Sequence, residues 1–160
     1  MIGSVLIDTN LLIYQFDERD RDKQALVREL LADRIQGGEL TYVPHQAIIE
    51  FVAAATRLRP SLNGQALLSW HDAMLEAEQM MQQYDVIYPN SVVLHTALRG
   101  ARTYGLAWFD AHLWAFAEVY GIPEILSEDF QHGRYYGSVR VTNPFAQSEG
   151  GVRELPPVYG

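Results

Sequence analysis

The sequence contains no cysteine, which excludes disulfide frameworks, zinc sites built from thiolates, and thiol nucleophiles. It has one lysine, Lys23, among 12 basic residues, against 20 acidic residues, so the formal charge is -8. This balance argues against a protein that holds nucleic acid by bulk positive charge. No run of about 18 apolar residues is present, and the N-terminus lacks the basic segment of a signal peptide. We therefore expect a soluble, cytoplasmic protein with no membrane segment.

What the chain does have is enough apolar residues to fold. Hydrophobic residues make up 48% of its 160 residues, which suffices for a sizeable core and is untypical of disordered chains. The length suits one domain. After Asn143-Pro144-Phe145 the pattern ends in a tail with no periodicity, so we expect a domain over residues 1–145. Residues 146–160 are interpreted as a Gly/Pro-rich extension, either a loop or a segment docked on a partner.

Short apolar runs alternate with helical patterns along the chain. Strands are predicted at 4–7, 40–43, 86–87, 124–126 and 139–141. Helices are predicted at 11–14, 22–35, from Pro44 to before Pro60, from an N-cap at Asn63 to about Gln83, at 92–104 and at 110–120. The third and fourth of these helices each have a predicted inward face. It consists of Ile48, Ile49, Val52 and Ala53 on the third helix, and of Leu67, Trp70, Met74 and Met81 on the fourth. The alternation predicts an α/β fold around a mainly parallel sheet.

Four carboxylates stand in unusually apolar surroundings, namely Asp8, Glu50, Asp110 and Asp129. Asp8 and Asp129 each follow a predicted strand, and the carboxyl ends of parallel strands share one edge of a sheet, where ligands bind. Glu50 and Asp110 lie on helices from which they could point to the same crevice. If all four converge, their repulsion must be relieved by protonation or by a cation, and an all-oxygen site suits Mg²⁺ or Mn²⁺.

Each acid also has a plainer interpretation, which the sequence leaves open. Asp8 can cap the turn that follows it. Asp110 can be an N-cap or a first-turn acid favoured by the helix dipole. Asp129 can be a turn residue, and Glu50 can lie at the edge of its apolar helix face.

The motifs that carry these acids resemble those of one family. The segments VLIDTNLLIY, AIIEF, WFDAHLWAFA and SEDFQHG, with NPF shortly after, follow the order and approximate spacing of the PIN-domain ribonucleases across residues 1–145. More narrowly, they are similar to the toxin component of VapBC-type toxin–antitoxin pairs. The resemblance implies a three-layer α/β/α sandwich.

The resemblance also implies roles for individual residues. Asp8, Glu50 and Asp110 would be the principal metal-site acids and catalytic residues, with Asp129 as a fourth and Glu128 as its competitor for the metal. Thr9, Asn10 and Ser127 stand where the family often has supporting polar groups. Three arginines flank the motifs in sequence and are candidates to steer RNA phosphates, or else plain surface residues: Arg99, Arg102 and Arg134.

The activity so implied is Mg²⁺- or Mn²⁺-dependent endonucleolytic cleavage of RNA, in which a metal-activated water attacks phosphorus and leaves 5′-phosphate and 3′-hydroxyl ends. The implied partners are a second copy of the chain and a small antitoxin with a DNA-binding domain. Two alternatives remain open at this point. One is a PIN-like interaction module without catalysis, and the other is a phosphotransferase with Asp8 as nucleophile, which Asn10 disfavours because such enzymes carry D-x-D.

Overall fold

The computed structural model describes residues 3–146, which form six strands and six helices. The strands are β1 Val5–Ile7, β2 Thr41–Pro44, β3 Asp85–Ile87, β4 Glu124–Leu126, β5 Tyr135–Tyr136 and β6 Val139–Thr142. The helices are α1 Thr9–Tyr14, α2 Arg21–Gln36, α3 His45–Thr56, α4 Trp70–Gln83, α5 Ser91–Tyr104 and α6 Trp108–Tyr120, with a 3₁₀ turn at Pro60–Leu62. Among these helices none is long and apolar enough to cross a membrane.

The strands form one sheet in the order β3-β2-β1-β4-β6-β5. All neighbouring pairs are parallel except β5 with β6, an antiparallel pair at the edge of the sheet. The first strand lies in the middle and pairs with β4, so the two chain segments that leave these strands run side by side. The hydrogen bond from Asp8 N to Leu126 O, 3.1 Å long, continues this pairing just past β1.

Helices cover both faces of the sheet, because successive side chains of a strand point to opposite sides. Val5 and Ile7 face a core built with α1, α2, α3 and α4. Leu6, between them, faces a second core built with α5 and α6. The predicted α/β/α sandwich with a mainly parallel sheet is therefore confirmed.

The predicted start of α4 was wrong. Asn63 does not cap this helix; it ends the 3₁₀ turn in a left-handed conformation with φ of 55°, which Asn tolerates better than most residues. The helix begins seven residues later, at Trp70, where the Ser69 side chain accepts a hydrogen bond from Asp72 N. Asn and Ser are both good N-caps, and residue type alone does not choose between them.

The buried faces of α3 and α4 also differ from those predicted. On α3 the fully buried residues are Ala47, Phe51 and Ala55. Of the predicted residues, Ile48 and Val52 are partly buried against the core, whereas Ile49 is 56% exposed and Ala53 is exposed. On α4 they are Ala73, Ala77 and Met80, while Trp70 is 70% exposed. In both helices small alanines allow close approach to neighbouring elements, and larger apolar residues are left at the margin.

Two further differences concern the C-terminal part of the chain. The strand β5 was not predicted, because two tyrosines between turns are too short a run to show a period. The predicted extension over residues 146–160 lies outside the described residues, except for Ala146. The remaining predicted strands and helices are confirmed, with ends that shift by a few residues.

Candidate active site

Asp8 is the first acid of the site and follows β1 directly. It is the N-cap of α1, and its Oδ1 accepts a hydrogen bond of 2.6 Å from Thr9 N. Its other oxygen, Oδ2, accepts a 2.7 Å hydrogen bond from the Ser127 hydroxyl. Asp8 therefore both caps α1 and belongs to the candidate site, so the two interpretations that the sequence left open for it hold together.

Ser127 connects Asp8 to the loop that carries Asp129. Ser127 is fully buried just after β4, and its Oγ accepts a hydrogen bond of 3.0 Å from Asp129 N. The Asp129 carboxylate accepts a hydrogen bond of 3.2 Å from Asn10 Nδ2. The adjacent strands β1 and β4 thus bring both aspartates to one edge of the sheet, as the topology rule predicted.

Glu50 joins the same site from the middle of α3. Its Oε1 accepts a 2.8 Å hydrogen bond from the Thr9 hydroxyl, and its Oε2 accepts a 2.9 Å bond from Gln46 Nε2. Gln46 Oε1 lies 2.5 Å from His112 Nδ1, which links this acid to α6. Thr9 and Gln46 therefore fix the direction of the Glu50 carboxylate.

Asp110 completes the set from the first turn of α6, whose N-cap is Ala107. Its place follows from the connection between α5 and α6, where Gly105 adopts φ of 66° and ends α5. Glycine takes this left-handed conformation without the steric cost that a side chain would bring. The sharp turn lets α6 begin beside the edge of the sheet that carries Asp8.

All four acids line one cavity of about 450 Å³. Thr9 and Asn10 also line it, while Ser127 lies behind Asp8 and holds it. The structure thus brings Asp8, Glu50, Asp110 and Asp129 to one place, and their catalytic and metal-binding roles stay predictions.

Burial, and to a smaller extent neighbouring negative charges, raise the pKa values of the three aspartates at this site. Burial first, and then the charges of Asp129 and Asp110, raise the pKa of Asp8 to about 6, against the lowering effect of its hydrogen bonds. Burial and Asp129 raise the pKa of Asp110. Burial, and then the charge of Glu128, raise the pKa of Asp129. These groups are therefore held in a repulsive arrangement that a cation would relieve.

The donors at this site fit a hard divalent cation in their chemistry, because they are all oxygens. One more oxygen is available: Asn10 Oδ1 is buried and has no hydrogen-bond partner among the described residues. As the side chains stand, however, no three Asp, Glu or His residues in the described part of the chain form a group close enough to hold an ion. Binding of an ion at this place would therefore require the carboxylates to move closer together.

Glu128 does not face the cavity. Its two oxygens accept hydrogen bonds from Lys23 Nζ at 2.8 Å and from the Tyr14 hydroxyl at 2.5 Å. The neighbouring Asp129 lines the cavity, so Asp129 is the better placed of the two, and its metal-binding role stays a prediction.

The three predicted phosphate-steering arginines are exposed and do not line the cavity: Arg99 and Arg102 on α5, and Arg134, which stacks on Tyr136 with its Cζ 4.4 Å from the ring centre. The arginines that do line it are Arg19, Arg57 and Arg59. A signal for Arg57 was present, because it follows Glu50 by seven residues, or two helical turns, within the predicted helix; in the structure Arg57 is the C-cap of α3.

The model of the PIN domain family matches residues 5–137. No curated protein matches the sequence. Among solved structures, VapBC from Salmonella typhimurium bound to DNA is similar with a TM-score of 0.64 and 11% identity, covering 89% of this chain and 99% of that one.

VapBC-1 from nontypeable Haemophilus influenzae gives a TM-score of 0.62 at 13% identity, with 88% of this chain and 98% of that one covered. VapC20 of Mycobacterium tuberculosis, a Sarcin-Ricin loop cleaving toxin, gives 0.58 at 14% identity, with 85% and 98% covered. At these identities the likeness shows the fold.

Proposed function

This chain belongs to the PIN domain family, and we propose that it is a metal-dependent endoribonuclease, the toxin of a type II toxin–antitoxin pair. The observation that carries the proposal is the convergence of Asp8, Glu50, Asp110 and Asp129 on one cavity. Acids with raised pKa values in a cleft are typical of functional sites. Their oxygens suit Mg²⁺ or Mn²⁺, and we propose these four residues as the ligands.

A divalent ion at such a site supplies an activated water and stabilises the charge that develops on the displaced oxygen. The chain's own part is to orient the carboxylates. Ser127 holds Asp8 through Oδ2, and Thr9 holds Glu50 through Oε1. Asn10 holds Asp129 through its amide nitrogen, and its own carbonyl oxygen is buried without a hydrogen-bond partner in the described residues. Thr9, Asn10 and Ser127 therefore act as positioning residues in this proposal.

RNA is the substrate we propose. The similar toxin from Mycobacterium tuberculosis cleaves the Sarcin-Ricin loop, and the cavity of this chain is lined by both acids and a group of arginines. An acidic protein of net charge -8 is not expected to bind RNA over its whole surface. Binding of the substrate therefore depends on the cavity itself.

The partner we propose is a small antitoxin with a DNA-binding domain, because the similar structures from Haemophilus influenzae and Salmonella typhimurium are VapBC complexes, the latter with DNA. A homodimer is proposed as well. Exposed apolar residues on α5, such as Val92, Leu94 and Leu98, offer a surface for such contacts.

The test is cleavage of total cellular RNA by the purified protein with Mn²⁺ or Mg²⁺, against EDTA and against Asp8→Asn purified in the same way. We expect cleavage by the wild type with metal, 5′-phosphate ends on the products, and loss of activity by at least about a hundredfold in Asp8→Asn. Glu78→Gln, which removes a charge from an exposed position on α4, is the control and should remain active. Equal cleavage by Asp8→Asn would contradict the proposal.

A further inference from the structure

The cavity that holds the four acids is basic at its other end. Arg19, Arg57 and Arg59 line this end, which we call the arginine end. Helix α3 runs from the acids toward this end, because Arg57 is its C-cap and Glu50 lies seven residues earlier, about 10 Å away along the helix axis. Ala54 lines the cavity between them. One groove therefore presents carboxylates and guanidinium groups along the same wall.

The positive charge at the arginine end is only partly neutralised. Arg19 is paired, because its Nε and Nη2 donate to the two oxygens of the buried Asp17 at 2.8 and 2.7 Å, and its Nη1 donates to Ser61 at 2.8 Å. Arg57 is exposed and forms no ion pair with any residue that the structure describes. No carboxylate other than Asp17 is paired with this group of arginines in the described residues.

Arg59 is held in place by several hydrogen bonds, but one of its own hydrogen-bond donors has no partner in the described residues. Its Nη2 donates to Ala54 O at 2.7 Å, at the carboxyl end of α3. Its backbone is fixed by hydrogen bonds with Gln65 and Gly64, at 2.9 and 2.8 Å. Its Nε is buried and has no hydrogen-bond partner in residues 3–146. Burial, followed by the charges of Arg57 and Arg19, lowers the pKa of Arg59, and the charge of Asp17 opposes this effect only in part.

A buried donor left unpaired costs free energy, and a fixed guanidinium beside a second one matches the geometry of a phosphate group. We propose that Arg57 and Arg59 bind a backbone phosphate of single-stranded RNA that flanks the phosphate at the acidic end. This inference rests on the proposed function and adds the residues that hold the substrate in register. Phe109, 66% exposed on the rim of the same cavity, is available for a base to stack upon.

The test measures binding of a short, fluorescein-labelled single-stranded RNA of random sequence to the full chain, by anisotropy over a range of salt concentrations. The variant is Arg57→Gln, which removes an exposed charge without breaking a side-chain hydrogen bond or ion pair within residues 3–146. Arg140→Gln, at an exposed position on β6, is the charge-matched control. All proteins also carry Asp8→Asn, and EDTA is present, so that the RNA stays intact.

We expect Arg57→Gln to weaken binding about tenfold at low salt, with the slope of log K against log salt reduced by about 0.7, the value for one phosphate contact on a single strand. Arg57→Lys should keep the slope but recover the affinity only in part, because lysine keeps the charge without the planar fork. Arg140→Gln should match the parent protein in both.

Equal affinity and slope in Arg57→Gln and the parent would overturn the inference, and so would absence of measurable RNA binding by the parent at low salt. Competition by polyglutamate as strong as that by polyphosphate would also overturn it, since the arginine end would then bind carboxylates of a protein partner. The outcome is separable from that of the proposed function. RNA binding that depends on Arg57, in a protein without nuclease activity, would support the RNA-binding role of the arginine end and contradict the proposed nuclease function. Metal-dependent RNA cleavage with the same KM in Arg57→Gln as in the wild type would support the nuclease function and contradict the role of Arg57.

Discussion

Glu128 and Asp129 are adjacent acidic residues, but Glu128 is bound by other side chains of the protein whereas Asp129 lines the cavity. Lys23 and Tyr14 bind the Glu128 carboxylate, and the Lys23 Nζ also lies 4.9 Å from the ring centre of Phe145. On the other side, Ser127 holds the Asp129 backbone. The single lysine of the chain therefore ties the loop after β4 to α2, and this contact keeps Asp129 turned toward the cavity.

Loss of this contact should weaken metal binding without unfolding the protein. In Lys23→Met the apolar part of the side chain remains, but Glu128 loses its ion pair, and with it the loop after β4 loses its contact with α2. We expect the Mn²⁺ concentration for half-maximal thermal stabilisation to rise about tenfold, the usual effect of removing a group that supports a metal ligand. Lys23→Arg should restore most of the affinity because it can still pair with Glu128. An unchanged Mn²⁺ requirement in Lys23→Met would contradict the account.

At the scale of single residues the sequence predicted the four acids and the polar residues Thr9, Asn10 and Ser127 that hydrogen-bond to them, but not the contacts of Gln46 and Lys23. The apolar context of Asp8, Glu50 and Asp110 is visible in the sequence, because charged residues rarely stand in such runs without a reason. The roles of Gln46 and Lys23 are not visible, since each contacts a residue more than 60 positions away or on another element: Gln46 meets His112, and Lys23 meets Glu128. Such contacts arise only when the chain is packed.

At the scale of elements, the close pair α5 and α6 fixes where Asp110 lies. Gly100 is buried on α5 against the Trp114 ring on α6. A Cβ at Gly100 would stand 2.7 Å from Trp114 Cε3, with a still closer contact to Cζ3. The absence of a side chain therefore sets the distance between the two helices, and α6 in turn carries Asp110 and His112 to the site.

Gly100→Ala should destabilise the protein although alanine is the better helix former. The propensity gain is about 1 kcal/mol, whereas forcing a methyl group against the buried Trp114 ring costs about 1–3 kcal/mol. We expect a net loss of about 1 kcal/mol in the free energy of unfolding, measured by urea denaturation. The double variant Gly100→Ala with Trp114→Phe should lose less than the sum of the two single changes. Equal or greater stability in Gly100→Ala would contradict this packing.

The errors in the sequence-based reading lie in α3 and α4. Both helices were assigned faces of large apolar residues, yet alanines and Phe51 or Met80 are the residues buried. A helix that packs closely on its neighbours needs small residues at the contact, and hydrophobicity alone ranks Ile49 or Trp70 above Ala47 or Ala73. The ends of α5 and α6 were predicted correctly, at residues 104 and 120. Each is followed in the structure by a glycine, Gly105 or Gly121, in the left-handed conformation that favours glycine at the end of a helix.

At the scale of the whole molecule, strand order brings the acids together. Parallel pairing of β1 with β4 makes Asp8 and Asp129 neighbours, and this was predictable from the alternation of strands and helices. The approach of Glu50 and Asp110 was not, because it depends on how α3 and α6 are rotated against the sheet. The arginine end was missed for the same reason, since Arg19 and Arg59 reach it from different loops.

The convergence has a consequence for the metal-free protein. The pKa of Asp8 in the folded state is raised from 3.8 to about 6, so the contribution of this group to stability is fully present below 3.8 and is lost as the pH rises through about 6. Above that pH the ionised group opposes folding, by about 1–3 kcal/mol for a shift of this size. Asparagine at position 8 keeps an oxygen for Thr9 N and an amide that Ser127 Oγ can accept from, without the charge.

The central claim is that these carboxylates form one divalent-cation site, and thermal unfolding of the wild type and Asp8→Asn at pH 7.5, in EDTA and in excess Mn²⁺, tests it most directly without knowledge of the RNA target. We predict that Asp8→Asn is the more stable protein in EDTA. In Mn²⁺ the wild type should gain stability, by about 2.7 kcal/mol at a hundredfold excess over Kd, while Asp8→Asn gains little. Equal stabilisation of both proteins by Mn²⁺, or none of the wild type, would contradict the claim.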